Sequence, residues 1–180
     1  MPRRWRSPAI RPRNGSPGGV TPLAQAILLL VLVNGSPVVL ARLLGTRAHR
    51  LPLDGGRRLA DGRPLFGSHK TVPGLAAALV TGALAAPLLG ISWTWGLGAA
   101  TAAMGGDLLS SFIKRRLGLG SGAMALGLDQ LPESLFGLLV LSRPLALGAA
   151  EIAAGALAFL VLELVLSRIG YWLGLRDRPH

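Results

Sequence analysis

The sequence predicts an all-α integral membrane protein of about five transmembrane helices with two larger cytoplasmic loops. Three observations carry this. Of 180 residues, 51% are hydrophobic and only 15% charged, with a mean hydropathy of +0.50, which is too apolar for an ordinary soluble domain of this size. The apolar residues gather in five runs, each bounded by Gly, Pro or charge. The arginines stand in the tails and loops rather than inside those runs, so the formal net charge of +11 reads as a topological signal before a chemical one.

Residues 1–20 hold five arginines among scattered Pro and Gly. This stretch reads as a disordered basic tail and not as a signal peptide, because the following apolar run is too long and leads into Asn34-Gly35-Ser36-Pro37 instead of a small-residue cleavage pattern. A membrane domain over 21–175 follows, with a short tail at 176–180. The first run spans about Thr21 to Leu44. Asn34-Gly35-Ser36-Pro37 interrupts it at membrane depth, and non-helical backbone there is tolerated where it lines a cavity or is buried in protein, so a pocket wall is preferred to a simple kink. The second and third runs, about Val72 to Leu89 and Ser92 to Ile113, are rich in Gly and Ala, among them Gly82, Ala86, Gly96 and Ala100. Such surfaces let helix backbones approach closely in lipid. The fourth run, about Leu131 to Leu141, is short for a span, so it tilts little, starts earlier near Leu126, or crosses only in part. The fifth runs from about Ala149 to Leu173, with Glu151 and Glu163 inside it.

Five spans place the loop from Arg42 to Lys70, the loop from Lys114 to Gln130 and the C-terminal region on one side. That side carries thirteen of the nineteen basic residues, which assigns it to the cytoplasm of a multi-pass inner-membrane protein, against the five arginines of the N-terminal tail. Nucleic acid is not an expected partner, since aromatics make up 5% of the chain and no base-stacking motif is present. With no cysteine, disulfides, thiolate metal sites and cysteine nucleophiles are excluded.

The densest chemical signal is Gly105-Gly106-Asp107-Leu108-Leu109-Ser110-Ser111-Phe112-Ile113-Lys114-Arg115-Arg116. Helical spacing puts Asp107, Ser111 and Lys114 on one face. There a carboxylate could hold a divalent cation while ammonium and guanidinium groups neutralise phosphate oxygens. The bland alternative is a helix end with a snorkelling Lys-Arg-Arg stop signal, although an aspartate at membrane depth is costly without purpose. In Leu128-Asp129-Gln130-Leu131-Pro132-Glu133, Pro132 and Glu133 suit the first turn of a helix. Asp129 is either a helix-start residue or a second metal ligand facing Asp107. The first loop, with Asp54-Gly55-Gly56, Asp61-Gly62-Arg63 and Gly67-Ser68-His69-Lys70-Thr71, offers three glycine turns and several basic residues. It is a plausible polyphosphate cradle, or simply a solvated loop, and it is not a P-loop.

Taken in order, these motifs together with Gly170-Tyr171-Trp172-Leu173-Gly174-Leu175 resemble the CDP-archaeol synthases and their bacterial relatives, and more distantly the phosphatidate cytidylyltransferases, from about Thr21 to the C-terminus. The resemblance implies a charged cytoplasmic pocket built by the two loops, CTP bound with Mg2+, and attack of a membrane lipid phosphate on the α-phosphorus with release of pyrophosphate. The acceptor it leaves open is an archaetidic-acid-like diether or an ordinary phosphatidic acid. On this reading Asp107 and Asp129 hold the metal, Lys70, Lys114 and Arg115 clamp phosphates, and Asn34, Asp61, Thr71 and Ser111 contact nucleotide or metal. Two rivals make other demands. A small transporter would use the Asn34 break and Glu163 as a permeation route, and a non-catalytic assembly subunit would bind lipid without turning over.

Overall fold

The computed structural model describes residues 20–45, 47, 51–172 and 174. The basic tail before Val20, the C-terminal tail at 176–180 and part of the Gly170–Leu175 motif lie outside the described residues. Five helices follow one another: α1 (Pro22–Leu44), α2 (Val72–Leu88), α3 (Trp93–Arg116), α4 (Gln130–Leu145) and α5 (Ala149–Trp172). Each begins where local chemistry allows. Thr21 caps α1 by accepting the Ala24 N–H at 3.3 Å, with Pro22 at the first helical position, where its missing N–H costs nothing. Thr71 caps α2 in the same way, accepting from Gly74 N at 3.2 Å ahead of Pro73. Glu151 accepts the Gly148 N–H at 2.7 Å and so closes the first turn of α5.

The helix ends shift from the sequence reading, α3 running on to Arg116, and two elements differ by more. The fourth helix reaches from Gln130 to Leu145, with Pro144 in its last turn, about 24 Å at 1.5 Å per residue. The first helix is not broken at Asn34-Gly35-Ser36-Pro37: α1 runs through as one helix with Pro37 inside it. Pro37 has no N–H to offer Val33 O four residues back, and the Ser36 hydroxyl donates to that carbonyl instead, at 2.9 Å. The expected stretch of non-helical backbone is therefore corrected to a repaired helix, and the unwound segment that a permeation route would have used is absent from it.

Neighbours in sequence are neighbours in space: α1 packs on α2, α2 on α3, α3 on α4 and α4 on α5, while α1 also touches α3, α4 and α5. Small residues set the separations. A Cβ added to Gly96 would lie 2.2 Å from Gly82 O and 2.3 Å from Ala86 Cβ, so α2 and α3 meet backbone to backbone, as the Gly/Ala-rich runs predict. On the far side of the bundle, Leu30 of α1 fills the notch at Gly137 of α4. The buried core is largely Ala and Leu with Val33, Met104 and Phe159. Many large apolar side chains point outward instead, including Leu28, Leu32, Leu84, Leu88, Leu157, Val161 and Val165. An apolar exterior spread over several helices is what lipid, not water, would solvate. Among the described residues, α1 and α5 are long and apolar enough to cross a membrane by themselves.

Candidate active site

The connection from α1 to α2 doubles back on itself. Leu53 N donates to Lys70 O at 2.7 Å and Val72 N to Leu51 O at 2.9 Å, while Leu59 N donates to Arg63 O and Leu65 N to Arg57 O nearer the tip. The three glycine turns expected here are present, with positive φ at Gly55, Gly56, Gly62 and Gly67. Asp54 organises the base of the loop. Its carboxylate, only 6% exposed, accepts the N–H groups of Gly56, Phe66 and Gly67 at 2.9, 3.0 and 3.2 Å. Burial opposes ionisation of this group, but the donors outweigh it and hold its carboxyl below the ordinary aspartate range.

This loop lies against the connection from α3 to α4, so both large loops stand at one end of the bundle, as the five-run topology requires. Gly67 is the closest point: a Cβ there would meet Ser121 Oγ at 2.8 Å and an Arg115 guanidinium nitrogen at 3.2 Å, and its φ of 98° already favours glycine. The tip is clamped by Arg116, whose guanidinium donates to both Asp61 carboxylate oxygens, at 2.8 and 2.7 Å, and to Pro64 O at 2.6 Å. Arg63 returns the contact by donating to Arg116 O. The Arg63 N–H and then the Arg116 charge hold the Asp61 carboxyl below its ordinary value. Asp61, expected to position nucleotide or metal, is thus engaged in fastening the loop to the end of α3, and the Thr71 hydroxyl, expected in the same role, is engaged in capping α2.

The two aspartates expected to hold a metal and the two lysines expected to hold phosphate are paired with each other. Lys70 Nζ stands 2.6 and 2.5 Å from the Asp107 carboxylate oxygens. Lys114 Nζ stands 2.5 Å from Asp129 Oδ1 and donates to Ala123 O at 3.0 Å, while Asp129 Oδ2 accepts from Ala125 N at 2.9 Å. The spacing argument for one face of α3 holds in part: Ser111, Lys114 and Arg115 are buried beneath the loops, whereas Asp107 is partly open. Arg115 is 3% exposed, its Nε has no hydrogen-bond partner, and Asp129 lies within its electrostatic reach.

Glu133 was read from sequence only as a first-turn residue. The structure buries it to 6% exposure, within electrostatic range of Glu163, Asp107, Lys70 and Asp129. It arrives there because α4 presses on α3 at Gly106, where a Cβ would lie 2.4 Å from Pro132 O and 2.6 Å from Glu133 N. The four-residue spacing from Asp129, which puts both carboxylates on one helix face, was the signal available for it.

Beside the Lys70–Asp107 pair is a partly open cavity of about 80 Å3. His69, Lys70, Thr71 and Asp107 are its polar lining, and Pro37, Ala41 and Met104 are among its apolar lining. The predicted pocket wall on α1 is therefore supplied by Pro37 and Ala41. Asn34 stands one turn below Pro37, and neither its amide nitrogen nor its oxygen, both buried, has a hydrogen-bond partner.

The donor set suits a hard divalent cation. Among the described residues no three His, Asp or Glu side chains converge tightly enough to hold a metal unaided, but Mg2+ bound with a nucleotide needs only one or two carboxylates, the rest coming from phosphate and water. Asp107 and Asp129 are two carboxylates of that kind, each paired with a lysine ammonium.

Residues 23–180 match the family model described as CarS-like, CDP-archaeol synthase. A CDP-archaeol synthase of Hyperthermus butylicus is 41% identical over 159 residues, covering 83% of this chain and 89% of that protein. That of Pyrobaculum calidifontis is 38% identical over 165 residues, covering 87% and 98%. A solved structure described as an intramembrane enzyme for archaeal membrane lipid biosynthesis superposes with a TM-score of 0.68 at 33% identity, over 79% of this chain and 90% of the other. With the match running through all five helices and both loops, the chain belongs to the CDP-archaeol synthase family.

Proposed function

We propose that this chain transfers the cytidylyl group of CTP to the phosphate of a membrane lipid, giving a CDP-lipid and pyrophosphate. The observation that carries the reading is the Lys70–Asp107 pair lining a cavity together with apolar side chains, in a member of the CDP-archaeol synthase family. A phosphate with hydrocarbon attached is the class of ligand such a lining matches, and the Lys114–Asp129 pair with Arg115 supplies the second charged group for a triphosphate.

In the reaction an oxygen of the lipid phosphate forms a bond to the α-phosphorus, the bond from that phosphorus to the bridging oxygen breaks, and pyrophosphate leaves with the electron pair. The acceptor is already an anion near neutral pH, since the second ionisation of a phosphomonoester falls at about 6, so no side chain has to remove a proton. What the protein must do is bring two polyanions together and hold them in line. Lys70, Lys114 and Arg115 offset the mutual repulsion, and the buried setting of Lys114 and Arg115 strengthens each contact. Mg2+, when bound with the triphosphate, would add charge neutralisation on the phosphate oxygens, and Asp107 and Asp129 are the residues that would hold it. Ser111 lines the same face of α3. Asn34, Asp61 and Thr71 act on the site through its walls and loops.

All five helices are read as membrane spans: α2, α3 and α4 are shorter or less apolar than α1 and α5, but they share one bundle with them. The basic loops face the cytoplasm, where CTP is found. The test is direct. Detergent-solubilised protein is incubated with labelled CTP, Mg2+ and a panel of diacyl and unsaturated diether lipid phosphates. CDP-lipid from any acceptor is expected, and the preferred acceptor identifies the lipid class. The Asp107→Asn variant should fold and lose at least about a thousandfold in turnover, about 4 kcal/mol of barrier. Wild-type turnover in that variant removes Asp107 from the site.

A further inference from the structure

The pairing of the two lysines with the two aspartates has a consequence for what the site accepts. Resting on the cytidylyl-transfer reading, we infer that Lys70 and Lys114 hold the carboxylates of Asp107 and Asp129 against a divalent cation alone, so that the site takes cation and triphosphate far more tightly together than either by itself.

Each ammonium occupies the position a cation would need. Lys70 Nζ is shared between both oxygens of Asp107 at 2.6 and 2.5 Å, and Lys114 Nζ is 2.5 Å from Asp129. A doubly charged cation approaching Asp107 meets the Lys70 ammonium directly, and the lysine can leave only by giving up its partner. The Asp129 carboxylate is held further by Ala125 N, and Lys114 by Ala123 O, so the second pair sits in a fixed frame of backbone groups. The side chains are partly shielded from water, Lys114 most of all at 11% exposed, the two aspartates at 22% and 23% and Lys70 at 27%. In such surroundings a charge left without its partner is costly.

The same reasoning applies to the nucleotide without a cation. A triphosphate that draws Lys70 and Lys114 away leaves two bare carboxylates next to a polyanion. When cation and triphosphate arrive together the four charges exchange partners: carboxylates turn to the cation, ammoniums to the phosphates. No buried charge is left alone at any site. Binding of either component therefore raises the affinity for the other, and by linkage the two factors are equal. A coupling of about 10- to 100-fold is the size usual for such linked sites.

The experiment uses the full chain in detergent and Mn2+ as the probe, with free Mn2+ counted by its electron paramagnetic resonance signal. For the wild type, Mn2+ alone should bind weakly, and saturating CTP should tighten Mn2+ binding to the protein by at least about tenfold, after correction for Mn2+ held by CTP in solution. Lys70→Met keeps the hydrocarbon stem and removes the ammonium. It should bind Mn2+ alone about tenfold or more tightly than the wild type, and adding Asp107→Asn to it should abolish that gain. Lys114→Met with Asp129→Asn makes the equivalent pair and serves if Lys70→Met fails to fold. Equal Mn2+ affinity in the wild type and both lysine variants, or no coupling to CTP in the wild type, overturns the inference. CDP-lipid synthesis by the same wild-type preparation separates the two claims: turnover without coupling refutes the lock and leaves the function standing, and coupling without turnover on any lipid phosphate refutes the function.

Discussion

Asp54 holds the base of the first loop together, and its replacement tests whether that loop must be rigid. In Asp54→Ala three backbone N–H groups, those of Gly56, Phe66 and Gly67, lose their acceptor at once. Each bond to a charged acceptor contributes about 1 kcal/mol or more net, and Asp54 and Gly67 N are shielded from water, so the folded loop should lose about 3 kcal/mol. That is roughly a hundredfold in the population of the ordered loop. Lys70 follows Gly67 by three residues and is tied back to it by Lys70 N donating to Gly67 O at 3.1 Å, so disorder here reaches the ammonium that pairs with Asp107. Hydrogen exchange over 63–71 should accelerate by a similar factor, and kcat/KM for CTP should fall at least tenfold, while exchange in α5 is unchanged. The pH dependence has a definite sign. Because the folded-state pKa of Asp54 is depressed, its stabilisation is fully present above the unfolded value of about 3.9 and is lost as pH falls through the lower folded value. Loop protection in the wild type should therefore fade only in that acid range, and Asp54→Asn should lack the transition. Wild-type exchange and wild-type kcat/KM in Asp54→Ala would refute the reasoning.

Gly106→Ala should lower thermal stability by about 1–3 kcal/mol, because the new methyl would meet the Pro132 carbonyl at 2.4 Å and backbone cannot swing aside as a side chain can. A melting temperature equal to the wild type would mean that α3 and α4 are not in contact there. Asn34→Leu should raise stability by about 1 kcal/mol or more, since it removes a buried amide that has no hydrogen-bond partner. If melting rises while CDP-lipid synthesis falls, the amide is held in place for the reaction, and a fall in melting would show that it has a structural partner.

Much was legible in the residues because membranes restrict the options. Backbone polar groups in lipid must be satisfied internally, so long apolar runs can only become helices, and the five runs correspond to the five helices with shifts at their ends. Charge placement marked the two loops, and the order of Gly106-Asp107, Lys114-Arg115-Arg116 and Asp129 with the Lys70 loop marked the residues that meet at one end of the bundle. Local chemistry also located the glycine turns of the first loop and the first turn of α4 at Pro132 and Glu133.

Tertiary structure decided how those residues are partnered. Sequence spacing could put Asp107 and Lys114 on one face of α3, but whether each charge faces a ligand or another side chain depends on where Lys70 and Asp129 are delivered by other elements. The same holds for Asp61, which serves Arg116 across the loop–helix contact, and for Glu133, which is carried into the charged cluster by the close approach at Gly106. In α1 the Ser36 hydroxyl reaches the carbonyl that Pro37 leaves free. Periodicity along one chain segment reports which way a side chain points, because helical geometry is local. Which charge neutralises it is a property of pairs far apart in sequence, and only packing brings them together.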